Sequence, residues 1–286
     1  MNRIIFLITL LYLAVLQIAA QDTKESPLKF DKAFYQCENR WVVLPKKAGE
    51  TKYSMGYVYI DMQAGFTLQL EGSMYINQYG NYVHLLADTN YDAKIRYQPG
   101  MSKMAILPPE ALIQMDLPDT PAWMYNYISS GNTVSDLVRR GYFYNHAGAS
   151  AYALNPLEQA YKMDPAAKGL AFELAYAYNS LEDYDKAETV LRAAIERNPA
   201  NFFYYRELGF SLAHNGKIAE AEEVYRKGIS LSKDSQQKAE MAINMAQAYF
   251  NEGNKNKFKE WAKITKKYSS RNSELYKYIR YMESKI

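Results

Sequence analysis

The 286-residue chain has one cysteine, Cys37, which excludes an intramolecular disulfide and leaves each folded unit to stand on its own apolar core. A small buried residue is the expected role for it. Histidines number only three, His84, His146 and His214, and they have no ligand spacing, so no metal site is expected. No charge sign dominates: 34 lysines and arginines face 31 acids, and a net +3 gives no global field for nucleic acid. Catalytic signatures are missing too, with no Gly-x-Ser-x-Gly, no phosphate loop and no Cys/His pair in a catalytic setting. Asp88-x-Asn90-x-Asp92 opens like a calcium loop, but Ala93 stands where glycine makes the turn and Pro99 where the bidentate glutamate belongs. A hairpin turn is expected there. The acidic pairs Glu182-Asp183 and Glu222-Glu223 read as turn and solvated-face residues, not as paired catalytic carboxylates. An enzyme and a cofactor are therefore not expected.

The one long apolar run lies at the start. Met1-Asn2-Arg3 carries a positive charge, Ile4 to Ala19 is apolar except for Thr9 and Gln17, and Ala19-Ala20-Gln21 closes it with small residues. That is the pattern of a secretory signal peptide over residues 1–20, cleaved after Ala20. The run is short for a membrane span and turns polar at once after Gln21. An exported protein, periplasmic or extracellular, is expected.

The whole chain is 48% hydrophobic with 27 tyrosines, and beyond residue 20 it is long enough for two modest cores. From Arg40 to about Met104 the pattern has period two: Phe66, Leu68 and Leu70 alternate with Thr67, Gln69 and Glu71, and Tyr53, Met55, Tyr57 and Tyr59 share a face. Glycines at 49, 65, 72, 80 and 100 divide this stretch into about six strands of a mostly antiparallel sheet. Residues 21–105 are thus read as a small β-rich domain. Residues 106–132 read as a proline-rich helical linker, with Pro108-Pro109-Glu110 opening one short helix and Ala122-Trp123-Met124 another. Ser129-Ser130-Gly131-Asn132 marks the boundary, after which the period is helical to the C-terminus.

That helical part repeats. Leu174 and Leu208, Ala187 and Ala221, Leu191 and Tyr225, and Ala194 and Gly228 are all separated by 34 residues. Small residues at the eighth, twentieth and twenty-seventh places allow paired helices to approach, while Tyr178 and Leu191 fill the space between. Counting back gives Leu137, Gly141, Tyr144, Ala153, Leu157, Ala160 and Pro165. There, Arg140 replaces an apolar residue and Pro156 falls within the second helix, which is expected to begin near Asn155-Pro156. A fourth unit, with Ala242, Met245, Ala246, Tyr249, Phe258 and Ala262, comes after a three-residue insertion.

These residues resemble the tetratricopeptide repeat family, in particular its exported bacterial members, over about Val134 to Ser270. Over that stretch the resemblance implies an all-α superhelical array of helix-turn-helix units (134–167, 168–201, 202–235 and 239–271 within 133–271), closed by a cap helix over 272–286. The residues before it resemble no characterised domain, and with the antiparallel β-rich domain read from their period-two pattern the chain is expected to be α+β. The resemblance also implies a non-catalytic scaffold for a protein or peptide partner. Carrying over the groove-lining places of the first helix of each unit gives Val138, Tyr142 and Asn145, then Phe172, Tyr176 and Asn179, then Phe203, Arg206 and Phe210. An aromatic groove with amides and one arginine suits an extended or helical peptide. The lysine and asparagine set that clamps a C-terminal carboxylate in chaperone-binding relatives is absent from these places.

Three alternatives stay open. The groove aromatics could be covered by the N-terminal domain. The β-rich domain could be an enzyme or a glycan-binding unit using its tyrosines, with the repeats as docking arm. Residues from Gln236 to Ile286 carry 11 basic against 5 acidic residues, clustered at Lys255, Lys257, Lys259, Lys263, Lys266 and Lys267. This is read as a solvated helix face or, more sharply, as a peripheral contact through residues 255–271 with anionic envelope components.

Overall fold

A computed structural model describes residues 27–86, 93–127 and 133–286. The signal-peptide segment, the Asp88 to Asp92 turn and the boundary at 129–132 lie outside the described residues. A 3-10 turn at Phe34–Cys37 precedes the strands β1 (Arg40–Val43), β2 (Tyr53–Asp61), β3 (Gly65–Ile76), β4 (Tyr82–Leu86), β5 (Lys94–Arg96) and β6 (Ala105–Ile106). They form one antiparallel sheet in the order β4-β3-β2-β1-β6, and β5 pairs with the first half of β3. The α-helices among the described residues are α1 (Pro109–Gln114), α2 (Val134–His146), α3 (Ser150–Met163), α4 (Leu170–Ser180), α5 (Tyr184–Arg197), α6 (Phe202–His214), α7 (Ile218–Leu231), α8 (Ser235–Asn251), α9 (Lys255–Tyr268) and α10 (Glu274–Glu283). Among the described residues, no helix is long and apolar enough to cross a membrane.

Both faces of the sheet are buried. Met55, Tyr57 and Tyr59 of β2 and Trp41 and Val43 of β1 pack under Leu107, Ala111, Met115 and Met124. Hydrogen bonds hold that cover in place, from Trp41 Nε1 to the Pro118 carbonyl (2.7 Å) and from the Tyr82 amide to Gln114 (2.8 Å). The proline-rich segment is thus a layer over the sheet. Tyr57 and Tyr59 are buried beneath Trp41, Trp123 and Tyr127, so they offer no stacking platform for a sugar. Val58, Ile60, Phe66 and Leu68 on the opposite face join one continuous core with Leu137 and Tyr144 of the first repeat.

The residue that breaks the repeat pattern makes this junction. Arg140 and the Tyr144 hydroxyl both donate to the carboxylate of Glu38, and Arg139 donates to the Met62 carbonyl (2.7 Å). Phe143 lies against Gly65 and Tyr144 meets Phe66 edge-on at 5.2 Å. An apolar residue at position 140 would leave Glu38, itself partly buried, without a cation.

The helices pair as α2/α3, α4/α5, α6/α7 and α8/α9, and α10 covers the last pair with Ile279 and Met282. Small and large residues meet as the period requires. A Cβ at Gly141 would lie 2.3 Å from Leu157, and one at Gly209 would lie 2.6 Å from the Tyr225 ring. Helix α3 does not begin at Asn155-Pro156: it runs from Ser150 to Met163 with Pro156 inside. Proline removes the amide that would bond the Tyr152 carbonyl, yet Ala153, Leu157 and Ala160 are fully buried on either side, and their packing holds the helix through it.

Candidate functional site

The first helices of the units, α2, α4, α6 and α8, stack side by side and carry the residues singled out from the sequence. The N-terminal domain leaves this row open: its contacts with α2 run through Arg139 at the rim and through Arg140, Phe143 and Tyr144. Tyr142, Tyr176 and Phe203 remain 45%, 39% and 38% exposed. Phe172 lies 6.4 Å from Tyr176 and 5.7 Å from Phe203, so three rings on two adjacent helices form one surface. Tyr142 stacks on His146 at its own end of the row, and Phe210 stacks on His214 (3.9 Å) beside Tyr184 at the other. Val138 and Tyr142 rim a cleft of about 540 Å³ whose lining includes Glu173. Phe172 and Phe203 border a second cleft of about 710 Å³ toward the 165–169 and 197–201 turns.

The two asparagines sit differently from their neighbours. Asn145 is buried and donates to both the Glu173 carbonyl and its carboxylate, each at 2.9 Å. Asn179, also buried, makes the same pair of bonds to Glu207 at 3.3 Å. Both tie one first helix to the next and do not line the open surface. The repeat also exposes a difference between them. Asn179 Oδ1 accepts from Ser211 (2.7 Å), whereas Asn145 Oδ1 is buried with no partner. Ala177 stands 34 residues before Ser211, where the donor would be. Ala177→Ser is expected to raise stability by about 0.5–1 kcal/mol in a thermal melt, and the gain should vanish in an Asn145→Ala background.

Arg206 is largely enclosed. Its guanidinium lies 5.3 Å from the centroids of both Phe172 and Phe203. It donates to Glu207 (2.9 and 3.0 Å) and to Gln237, with Glu240 at 3.6 Å. The carboxylates Glu173, Glu207 and Glu240 are not among the groove places counted from the sequence. A signal for two of them is there, since Glu173 and Glu207 recur at a spacing of 34 beside the groove positions. Burial, and secondarily Glu207, pushes the Glu173 carboxyl above its ordinary range against the opposing Asn145 bond.

Outside the groove, Glu222 is not on a solvated face. It is buried and receives Lys257 (2.8 Å), Arg226 (2.6 Å) and the Tyr249 hydroxyl. In the basic C-terminal cluster, Lys257 is thus engaged, Lys266 pairs with Glu283, and Lys255, Lys259 and Lys263 are exposed. A cleft at the sheet edge is lined by Lys46, Thr51, Lys52, Tyr53, Tyr75, Ile76 and Leu85, with no converging acids among these residues.

Residues 146–202 and 172–238 match the profile of the tetratricopeptide repeat family. The small glutamine-rich tetratricopeptide repeat-containing protein 2 of Saccharomyces cerevisiae is 34% identical over 83 residues, 29% of this chain and 24% of that protein, so the match spans about a quarter of that relative. Among solved structures, a thermophilic TPR protein of Thermus thermophilus is similar at TM-score 0.46 and 16% identity, covering 53% of this chain and 82% of that one. A MamA structure is similar at TM-score 0.44 and 22% identity (49% and 75%). The first TPR domain of human RPAP3 is similar at 0.39 and 22% (43% and 98%).

Proposed function

The helical part of this chain is a tetratricopeptide repeat array, and on that premise we propose that the protein is a non-catalytic interaction module that holds a protein or peptide partner along α2, α4 and α6. The observation that carries this reading is the aromatic row in which Tyr142, Tyr176 and Phe203 are exposed and the half-buried Phe172 joins the last two. Single exposed apolar residues are ordinary on a protein surface. Here adjacent rings from two helices stand together beside two clefts, which is the arrangement of an anchor pocket. We further propose, from the Met1 to Gln21 pattern, that it acts after export in a bacterial envelope. N-terminal sequencing of material from the native host is expected to start at Gln21, and a chain starting at Met1 would remove that part of the reading.

A partner identified by crosslinking tests the groove. Tyr176→Ala combined with Phe210→Ala is expected to weaken binding by about 2 kcal/mol or more, roughly thirtyfold in Kd. Glu223→Ala with Lys227→Ala, exposed on α7 and in none of the ion pairs there, is expected to leave it unchanged. Glu188 is no control, since it pairs with Arg192 and Lys217 at 2.8 Å each. Circular dichroism must show all variants folded. Equal affinity in wild type and both double variants would take the groove out of the function.

A further inference from the structure

Glu173 and Glu207 occupy the same place in successive repeats, and what sets them apart electrostatically is the cation. Each carboxylate accepts from the asparagine of the preceding unit. Glu207 also has a cation, because Arg206 donates to it while lying between the Phe172 and Phe203 rings. One repeat earlier the residue beside Glu173 is Phe172, and among the described residues no lysine or arginine lies within ion-pair distance of Glu173. Arg139 and Lys168 rim the same cleft, but Arg139 is bonded to the Met62 carbonyl and neither pairs with the carboxylate. A half-buried carboxylate with only an amide for company is costly unless a cation completes it. Its raised pKa expresses that cost. Beside it lies a cleft of about 540 Å³ with the half-exposed Tyr142 on its wall, open to a side chain from outside.

We propose that this cleft takes an arginine or lysine side chain of the bound partner, whose cation pairs with Glu173 beside Tyr142, as Arg206 pairs with Glu207 beside Phe172 and Phe203. The proposal rests on the groove reading above and adds partner chemistry to it: a basic side chain set among apolar anchors. Arg206 shows that the fold supports such a cage, with rings for the planar cation and carboxylate for its charge. The cleft's own ionisable groups, Glu173 and Asp164 against Arg139 and Lys168, balance, so the preference is local to Glu173.

The probe is N-acetyl-arginine methylamide, with the neutral isostere N-acetyl-citrulline methylamide as comparison, titrated into the full chain and followed by NMR at the Lys168 and Gly169 amides. The arginine compound is expected to bind about tenfold more tightly than the citrulline compound and to lower the Glu173 carboxyl pKa. Glu173→Gln, which keeps an acceptor for Asn145, should bring the two compounds to equal affinity. It should also leave the melting temperature of the free protein unchanged or raised, because it removes an uncompensated charge. Equal affinity of the two compounds for wild type, or an arginine preference that survives Glu173→Gln, overturns the proposal, as does absence of binding at millimolar concentration. These outcomes leave the groove reading intact if the crosslinked partner still depends on Tyr176 and Phe210. If the partner ignores those two rings, the groove reading falls whatever Glu173 does.

Discussion

Gly56→Ala is expected to unfold the N-terminal sheet at physiological temperature. Its Cβ would sit 2.0 Å from the Gln69 carbonyl oxygen and 2.9 Å from the carbonyl carbon, both backbone atoms of the paired strand. A side-chain neighbour could rotate away, but a strand backbone moves only by breaking its ladder. The register between β2 and β3 already shifts at Met55/Gly56, so the glycine marks a bulge where the two backbones approach closely. The expected cost is above about 3 kcal/mol, beyond ordinary overpacking. The damage should spread, because the sheet face formed by Val58, Ile60 and Phe66 shares a core with α2. In a thermal melt the variant should lose the sheet together with the first repeat, while the exposed Ser54→Ala changes little. A wild-type melting curve for Gly56→Ala would refute the close approach.

Acid is expected to loosen the C-terminal repeats through Glu222. Burial alone would raise this carboxyl, but donors from Lys257, Tyr249 and Arg226 outweigh it and hold the pKa at about 2, against an ordinary 4.5. A carboxyl with a depressed folded-state pKa stabilises fully above its unfolded value and loses that contribution as pH falls through 4.5 toward 2. The shift corresponds to about 3 kcal/mol between neutral pH and pH 2. The group joins three helices, since Glu222 and Arg226 lie on α7, Tyr249 on α8 and Lys257 on α9, with Arg226 also stacked 4.8 Å from the Trp261 ring. Glu222→Ala should therefore cost about 3 kcal/mol at pH 7 and melt α7 to α10 before the rest of the array. Glu222→Gln should be less stable than wild type at pH 7 and show a flatter decline between pH 5 and 2, read by urea unfolding across that range. Parallel acid limbs for wild type and Glu222→Gln would show that the cluster does not act as described.

The α+β class and the repeat array were legible because both rest on local spacing. A 34-residue recurrence of small and large residues can be counted without knowing what they touch, and Gly141 against Leu157 and Gly209 against Tyr225 are that recurrence in contact. Period-two alternation likewise marks strands whatever covers them. The groove positions come from the family resemblance laid on that register, and Tyr142, Tyr176 and Phe203 among them are exposed. The count could not tell that Asn145 and Asn179 bond sideways to Glu173 and Glu207, because an amide's partner is chosen by the distance between helices and not by its place within one.

The sequence by itself thus determined which segments become strands and helices, and which residues of each first helix face the same way. Only the tertiary structure decided what the second face of the sheet packs on, why position 140 is an arginine, and how α3 continues through Pro156. It also decided that Glu222 is buried and that, of two equivalent glutamates, one has a cation and the other a cleft. These are contacts between residues far apart in the chain, such as Arg140 with Glu38. Periodicity reports the direction in which a side chain points, whereas its partner and its charge environment depend on how whole elements dock, which the burial of both sheet faces and the stacking of the repeats settle together.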